Sequence, residues 1–395
     1  MAAMDFPASP TDGQVYGNYV WSASTGAWLS KGVTQTTAVT SDVAPSNPKA
    51  GDMWYNSTDG VMYLYYNDGN TSQWVQFKND ASFSSTLGPR VDALDANANT
   101  NYIINGAFDI WQRGTSFSGN VYCADRWYGG NNPSAISRST DVQSGFNYSL
   151  DITGANHLLG HRIEAAEASK LTGKTVTLSF YAKSLSGTNS MTAAIGTPSA
   201  IDNFAISNIE YTSSAIAITS SWARYSVTFS ALSANISKGL FIYLYRNGST
   251  STDRTLITGV QLQAGSTLTD FHRAAPTLQG ELAACQRYYY RQTATAPYSI
   301  FGYGNGMGSS STEFGVPFPV TMRAIPTSMD SSNIGGGTPG VITLNPSSLS
   351  FQSGKSGTTI GSVSLTSTNN AASGSFVFLW ANNTTSAYLG FSAEL

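Results

Sequence analysis

Three histidines, two cysteines and a thin scatter of acids are the side chains of this sequence best equipped for chemistry. His157 and His161, with Glu164 three residues further on, could in principle ligate zinc. No glutamate stands beside His157 to act as the base of a zincin helix, and Gly160 disfavours a helix there, so no metal site is expected. His272 has no cysteine or serine partner in a triad-like arrangement, and no G-x-S-x-G elbow occurs. The stretches Gly302-Tyr-Gly-Asn-Gly-Met-Gly308 and Gly335-Gly336-Gly337 lack the lysine and hydroxyl residue of a phosphate loop and read as flexible turns. Glycoside hydrolysis needs two carboxyl groups roughly 5 to 9.5 Å apart. The acids nearest aromatics, Asp109 beside Trp111 and Asp125 beside Trp127, read instead as groups that fix strand ends and pack a core edge. No catalytic residue and no cofactor are assigned, and a glycan depolymerase is the less favoured alternative.

Binding fits the residue types better. Neutral sugars are held by flat aromatic faces and by fixed hydroxyl and amide groups. The 395 residues include 21 Tyr, 18 Phe and 8 Trp, with 55 Ser and 42 Thr. Trp111, Trp127, Tyr128, Trp380 and Tyr388 are the candidate glycan contacts, although aromatic rings also make good sandwich cores. Charged residues are 11% of the chain, against about 25% in ordinary globular proteins. With 20 Lys+Arg against 23 Asp+Glu there is no basic stripe for counterion release, so a nucleic-acid partner is not expected. No run of about 18 apolar residues suggests membrane insertion, and the first residues lack a secretory pattern, so synthesis in a cytoplasm is expected. Cys123 and Cys285 are expected to be reduced and buried, with a bridge between them left open.

The elements that must carry these residues are mainly β. Pro7-x-x-Pro10-x-x-Gly13-x-x-Tyr16 recurs as Pro45-x-x-Pro48-x-x-Gly51-x-x-Trp54. Each copy runs on through alternating aromatics to Trp28-Leu29 or Trp74-Val75, which gives two small β-modules over residues 1–82. Each is too short to bury a core alone. Over 83–101 the aromatics vanish, and Leu87, Val91, Leu94 and Ala98 are spaced like an a/d seam. That segment reads either as a plain amphipathic linker helix or as a short trimeric neck. Residues 102–275 show regular alternating strands, such as Val176, Leu178 and Phe180 against Thr175, Thr177 and Ser179, and read as an antiparallel jelly-roll β-sandwich. Residues 276–395 open with a helix behind Pro276, whose Leu278, Leu282 and Cys285 share a face, and continue as an all-β domain. Beyond Pro297 the charged residues are Glu313, Arg323, Asp330, Lys355 and Glu394 alone.

Several motifs resemble one family. The Pro-x-x-Pro-x-x-Gly repeat, with Asp52, Trp54 and the run Tyr65 to Val75, resembles N-terminal modules of tailed-bacteriophage fibres and other virion proteins. Asn105-Gly-Ala-Phe-Asp-Ile-Trp-Gln-Arg-Gly114, Ala124-Asp-Arg-Trp127 and Gly259-Val-Gln-Leu-Gln-Ala-Gly265 are similar to the carbohydrate-binding-type jelly roll of phage tail proteins. Glu281 to Tyr289, Pro319 to Thr327 and Phe391 to Leu395 resemble the module that often follows it. The resemblance implies a homotrimeric tail-fibre or receptor-binding subunit, anchored to virion tail or adaptor proteins by its N-terminal modules. It would present the C-terminal domain to host surface polysaccharide. A head fibre, decoration or peripheral baseplate protein with a purely structural role is the alternative it allows.

Overall fold

The computed structural model describes residues 7, 9–16, 19–30, 39–58, 61–67, 71–76 and 100–395, apart from 187, 188, 249 and 345. Leu87, Val91, Leu94 and Ala98 lie outside the described residues. The fold is mainly β and comprises two compact units, Met1–Gly88 and Pro89–Leu395.

In the first unit β1 (Val15–Tyr16), β2 (Tyr19–Ser22) and β3 (Ala27–Ser30) form one antiparallel sheet. β4 (Val39–Ser41), β5 (Met53–Asn56), β6 (Val61–Asn67) and β7 (Ser72–Gln76) form a second, in which β4 and β5 run parallel. The sequence repeat is repeated in the backbone. Gln14 N–H donates to Thr11 O and Asp52 N–H to Lys49 O, while Gly13 and Gly51 take φ of 78° and 97° and donate to Trp21 O and Tyr65 O. The spacing shared by the two copies therefore encodes a turn that needs a left-handed residue. Trp54 then packs on Tyr63 and Trp74, with ring centroids 4.9 and 5.6 Å away, a small aromatic cluster in place of a full core.

In the second unit the strands run β8 (Ser116–Phe117), β9 (Val121–Tyr122), β10 (Trp127–Gly130), β11 (Ala135–Ser139), β12 (Ser149–Thr153) and β13 (Asn156–Ile163). They continue as β14 (Val176–Ser186), β15 (Asn189–Ala200), β16 (Asn203–Thr212), β17 (Ile216–Ile218), β18 (Ala223–Phe229), β19 (Leu240–Asn247) and β20 (Arg254–Ala264). One sheet has the order β16-β15-β19-β13-β10-β9, with β17 also on β15, and the other β18-β14-β20-β12-β11-β8. Their inner faces enclose a core that includes Trp127, Ile136, Leu178, Phe180, Ile195 and Ile242. Crossovers between two antiparallel sheets give the jelly-roll-type sandwich expected from the alternating strands.

The helix Leu278–Gln286 follows, capped by Thr277 Oγ1, which accepts from Gly280 N–H at 3.0 Å. Its inner face differs from the expected one. Leu278 is exposed, whereas Glu281 and Cys285 are buried. The Glu281 carboxylate accepts from Asn105 N–H and Ala275 N–H, so a charge takes the place of an aliphatic knob. Beyond the helix lie β21 (Tyr289–Thr293), β22 (Ile300–Gly306), β23 (Ser311–Pro317), β24 (Ser328–Ser332) and β25 (Ile334–Thr338). β26 (Ile342–Leu344), β27 (Pro346–Phe351), β28 (Ile360–Ser367), β29 (Phe376–Ala381) and β30 (Tyr388–Ser392) complete the chain. They form a three-stranded sheet, β21-β30-β24, and a seven-stranded one, β26-β25-β29-β22-β23-β28-β27, around a second core. The glycine-rich stretches expected as turns are strands β22 and β25. At Gly304 an added Cβ would stand 1.9 Å from Glu313 O, so glycine is what lets β22 and β23 close on each other.

Candidate functional site

The outward face of the sheet holding β19 gathers polar aromatics that strand alternation keeps out of the core. Ile242 and Leu244 point inward, so Tyr243 and Tyr245 point outward. Register carries the row across the sheet: Tyr122 faces Tyr128, Tyr128 faces Gly160, Gly160 faces Tyr243, and Tyr243 faces Ala194. All four tyrosines are half-buried. Tyr122 and Tyr128 meet edge to face at 5.4 Å, as do Tyr243 and Tyr245 at 5.7 Å, while Phe241 lies 4.2 Å from Tyr243. Gly160 makes the row possible, since a Cβ there would stand 3.0 Å from the Tyr243 ring.

One end of the row is polar. Arg162 Nη1 donates to Tyr122 Oη at 3.3 Å and to the Leu395 carbonyl, and Tyr122 Oη donates to the same carbonyl at 3.0 Å. At the other end Asn247 Nδ2 donates to Thr192 Oγ1 at 3.1 Å, on the strands that carry Tyr245. Burial raises the Tyr122, Tyr243 and Tyr245 hydroxyls above the ordinary phenol value. They therefore stay neutral hydrogen-bonding groups throughout the physiological range. Flat rings, neutral hydroxyls and an amide on a rigid sheet suit an uncharged, hydroxyl-rich ligand.

Of the residues singled out by type, Tyr128 belongs to this row. Trp127 is the neighbour that alternation sends inward. It is fully buried between Phe108 and His161, and its Nε1 donates to Asn105 O at 2.9 Å, which leaves no ring face for a ligand. Trp111 is buried too, with Nε1 donating to Phe108 O at 2.6 Å. Trp380 is buried in the C-terminal sheet against Tyr298, and the half-buried Tyr388 is covered by the Arg291 guanidinium at 3.3 Å. As glycan contacts, Trp111, Trp127 and Trp380 are corrected to core residues. Residue type alone missed Tyr122, Tyr243 and Tyr245. The signal for the last two was present in the alternation of Phe241, Tyr243 and Tyr245 with Ile242 and Leu244.

The other chemistry-bearing residues are structural. Asp109 holds Arg273 at 2.6 Å, and Asp125 accepts from the Gln112 backbone and side chain with Arg113 3.8 Å away. His157 and His161 lie on strand β13 and both are buried, with His161 Nε2 3.1 Å from Ile104 O, while Glu164 pairs with Arg287 at 2.9 Å. Burial, with a nearby arginine, lowers both imidazoles and keeps them neutral. Cys123 and Cys285 are buried free thiols, and burial pushes Cys123 up to about 12.

Neither a protein-family model nor a curated protein sequence matches the chain. Part of it is similar to solved structures. The CBM22-1 xylan-binding domain of Paenibacillus barcinonensis Xyn10C is 14% identical and covers 39% of this chain and 94% of its own, at a TM-score of 0.28. TmCBM61, solved with β-1,4-galactotriose, is 10% identical over 42% of this chain and 100% of its own, also at 0.28. The enzymatically active domain of bacteriophage CBA120 tailspike protein 4 is 13% identical over 42% of this chain and 21% of its own, at 0.27. At these TM-scores the likeness carries nothing about ligand or activity, and the sandwich rests on its own strand order.

Proposed function

We propose that this protein is an adsorption subunit of a bacteriophage particle that holds neutral host-surface polysaccharide on the tyrosine row of its jelly-roll sandwich. The observation that carries the binding reading is the row itself: Tyr122, Tyr128, Tyr243 and Tyr245 on one outward face, above Gly160 and Ala194, with the Tyr122, Tyr243 and Tyr245 hydroxyls kept neutral by burial. The virion assignment is supported by the resemblance of the N-terminal repeat, the jelly-roll motifs and the C-terminal motifs to phage fibre proteins. Action by binding rather than cleavage is supported by Asp109 and Asp125, whose carboxylates are already engaged by Arg273 and by Gln112. A homotrimer, which the resemblance to phage fibre proteins implies, suits weak individual sites, because linking them can raise avidity by roughly 10² to 10⁴ without new contacts.

Affinity electrophoresis through gels containing host polysaccharide tests the row. Wild-type protein is expected to be retarded, and Tyr128→Ala with Tyr243→Ala is expected to weaken retardation by at least about tenfold without a change in melting temperature. A double variant retarded as strongly as wild type would overturn the assignment.

A further inference from the structure

We infer that the C-terminal domain carries a second sugar site, on the outward face of β22 and β29, independent of the tyrosine row. Val377 and Phe314 point into the core, so Phe376, Phe378 and Tyr303 point outward. Tyr303 and Phe376 are 51% and 53% exposed, which is unusual for large rings held on a rigid sheet. Their planes lie within 17° of each other with centroids 6.2 Å apart. Phe378 braces both edge-on, at 5.8 and 4.9 Å. On the flanking strands β23 and β25 the cross-strand partners of Tyr303 and Phe378 are Gly315 and Gly337, which have no side chain to cover the rings.

Polar groups adjoin the platform. Asn305 is in register with Phe376 on one side and Glu313 on the other. A cavity of about 320 Å³ opens there, lined by Asn305, Met307, Glu313, Lys355 and Ser362 among others. Glu313 and Lys355 form an exposed ion pair at its wall, and such a pair costs little to rearrange around a ligand. Two nearly parallel exposed rings offer apolar surface for the C–H face of a pyranose, and the amide, carboxylate, ammonium and hydroxyl offer partners for its hydroxyl groups. Because Lys355 is neutralised by Glu313, the site favours a neutral sugar over an anionic ligand.

The test uses the full chain with Tyr128→Ala and Tyr243→Ala, so that the jelly-roll row is silenced. Saturation-transfer NMR is run with methyl β-D-galactopyranoside, methyl α-D-glucopyranoside and N-acetyl-D-glucosamine as probes. Transfer to the ring protons of at least one sugar is expected, falling at least about fivefold on adding either Tyr303→Ala or Asn305→Ala. No transfer to any of the three, or transfer that survives both substitutions, would overturn the site. So would a fall in particle mass by light scattering on Phe376→Ser, since that would make the face a contact between copies of the chain. Loss of polysaccharide binding by the tyrosine-row variant alone bears on the proposed function and leaves this measurement unaffected.

Discussion

Asp125 is a fully buried carboxylate beside Gln112, Arg113 and Glu394. Burial outweighs the pull of Arg113 and the Gln112 hydrogen bonds, and raises its pKa from 3.8 to about 6. Between those values the folded protein keeps a proton that the unfolded chain has released. The stabilisation from that proton is complete below 3.8 and lost as pH climbs through about 6. Asp125→Asn has no such proton to lose. The variant's unfolding free energy, measured in urea, is expected to gain on wild type by on the order of 2–3 kcal/mol between pH 4 and pH 7. A gap independent of pH would mean that Asp125 is ionised throughout. At this scale the residue types were legible and their environments were not. Trp111 and Trp127 have the residue type of ligand contacts, and only the packing of Phe108 against Trp127 and of Phe117 against Trp111 makes them core.

Elements were more legible than residues, because strand alternation is written directly into the order of residues. Strand β14 follows the alternation of Val176, Leu178 and Phe180 with Thr175, Thr177 and Ser179, and β19 that of Ile242 and Leu244 with Tyr243 and Tyr245. Glycine hid two strands. Gly302 to Gly306 and Gly335 to Gly337 carry no side-chain pattern, and their place in a sheet depends on what approaches from the next strand. Gly304→Ala would drive a Cβ into the Glu313 carbonyl, a backbone atom that cannot swing aside. A loss of about 1–3 kcal/mol in urea unfolding is expected, as for other overpacked sites. An unchanged midpoint would show that β22 and β23 can separate at little cost. The buried Glu281 was hidden for a related reason, since the N–H groups that satisfy it belong to Asn105 and Ala275, outside its helix.

Across the second unit, the last residues fasten one sandwich to the other. Glu394 pairs with Arg126 and, at 3.2 Å, with Arg113, while the Leu395 carbonyl accepts from Tyr122 and Arg162 of the jelly roll. Arg323 Nε donates to Ala393 O at 2.6 Å, which ties the same tail to the C-terminal domain. Arg126 is 1% exposed, so removing its carboxylate leaves a buried charge without its partner. Glu394→Ala is expected to cost about 3–5 kcal/mol in denaturant unfolding, with Glu394→Gln between it and wild type. A cost below about 0.5 kcal/mol would mean that the two sandwiches are held by packing alone.

The motifs Asn105 to Gly114, Ala124 to Trp127 and Phe391 to Leu395 stand out in sequence as separate signatures, and in the fold they are parts of one junction. By itself the sequence determined the mainly β character, the duplicated N-terminal turn and the alternating strands, because these depend on local spacing and on backbone geometry. Only the tertiary structure decided which aromatics face outward together, which acids are spent on arginines, and that tyrosines from β9, β10 and β19 share one surface. Those outcomes depend on the order in which strands far apart in sequence lie side by side, and no local pattern of residues specifies that order.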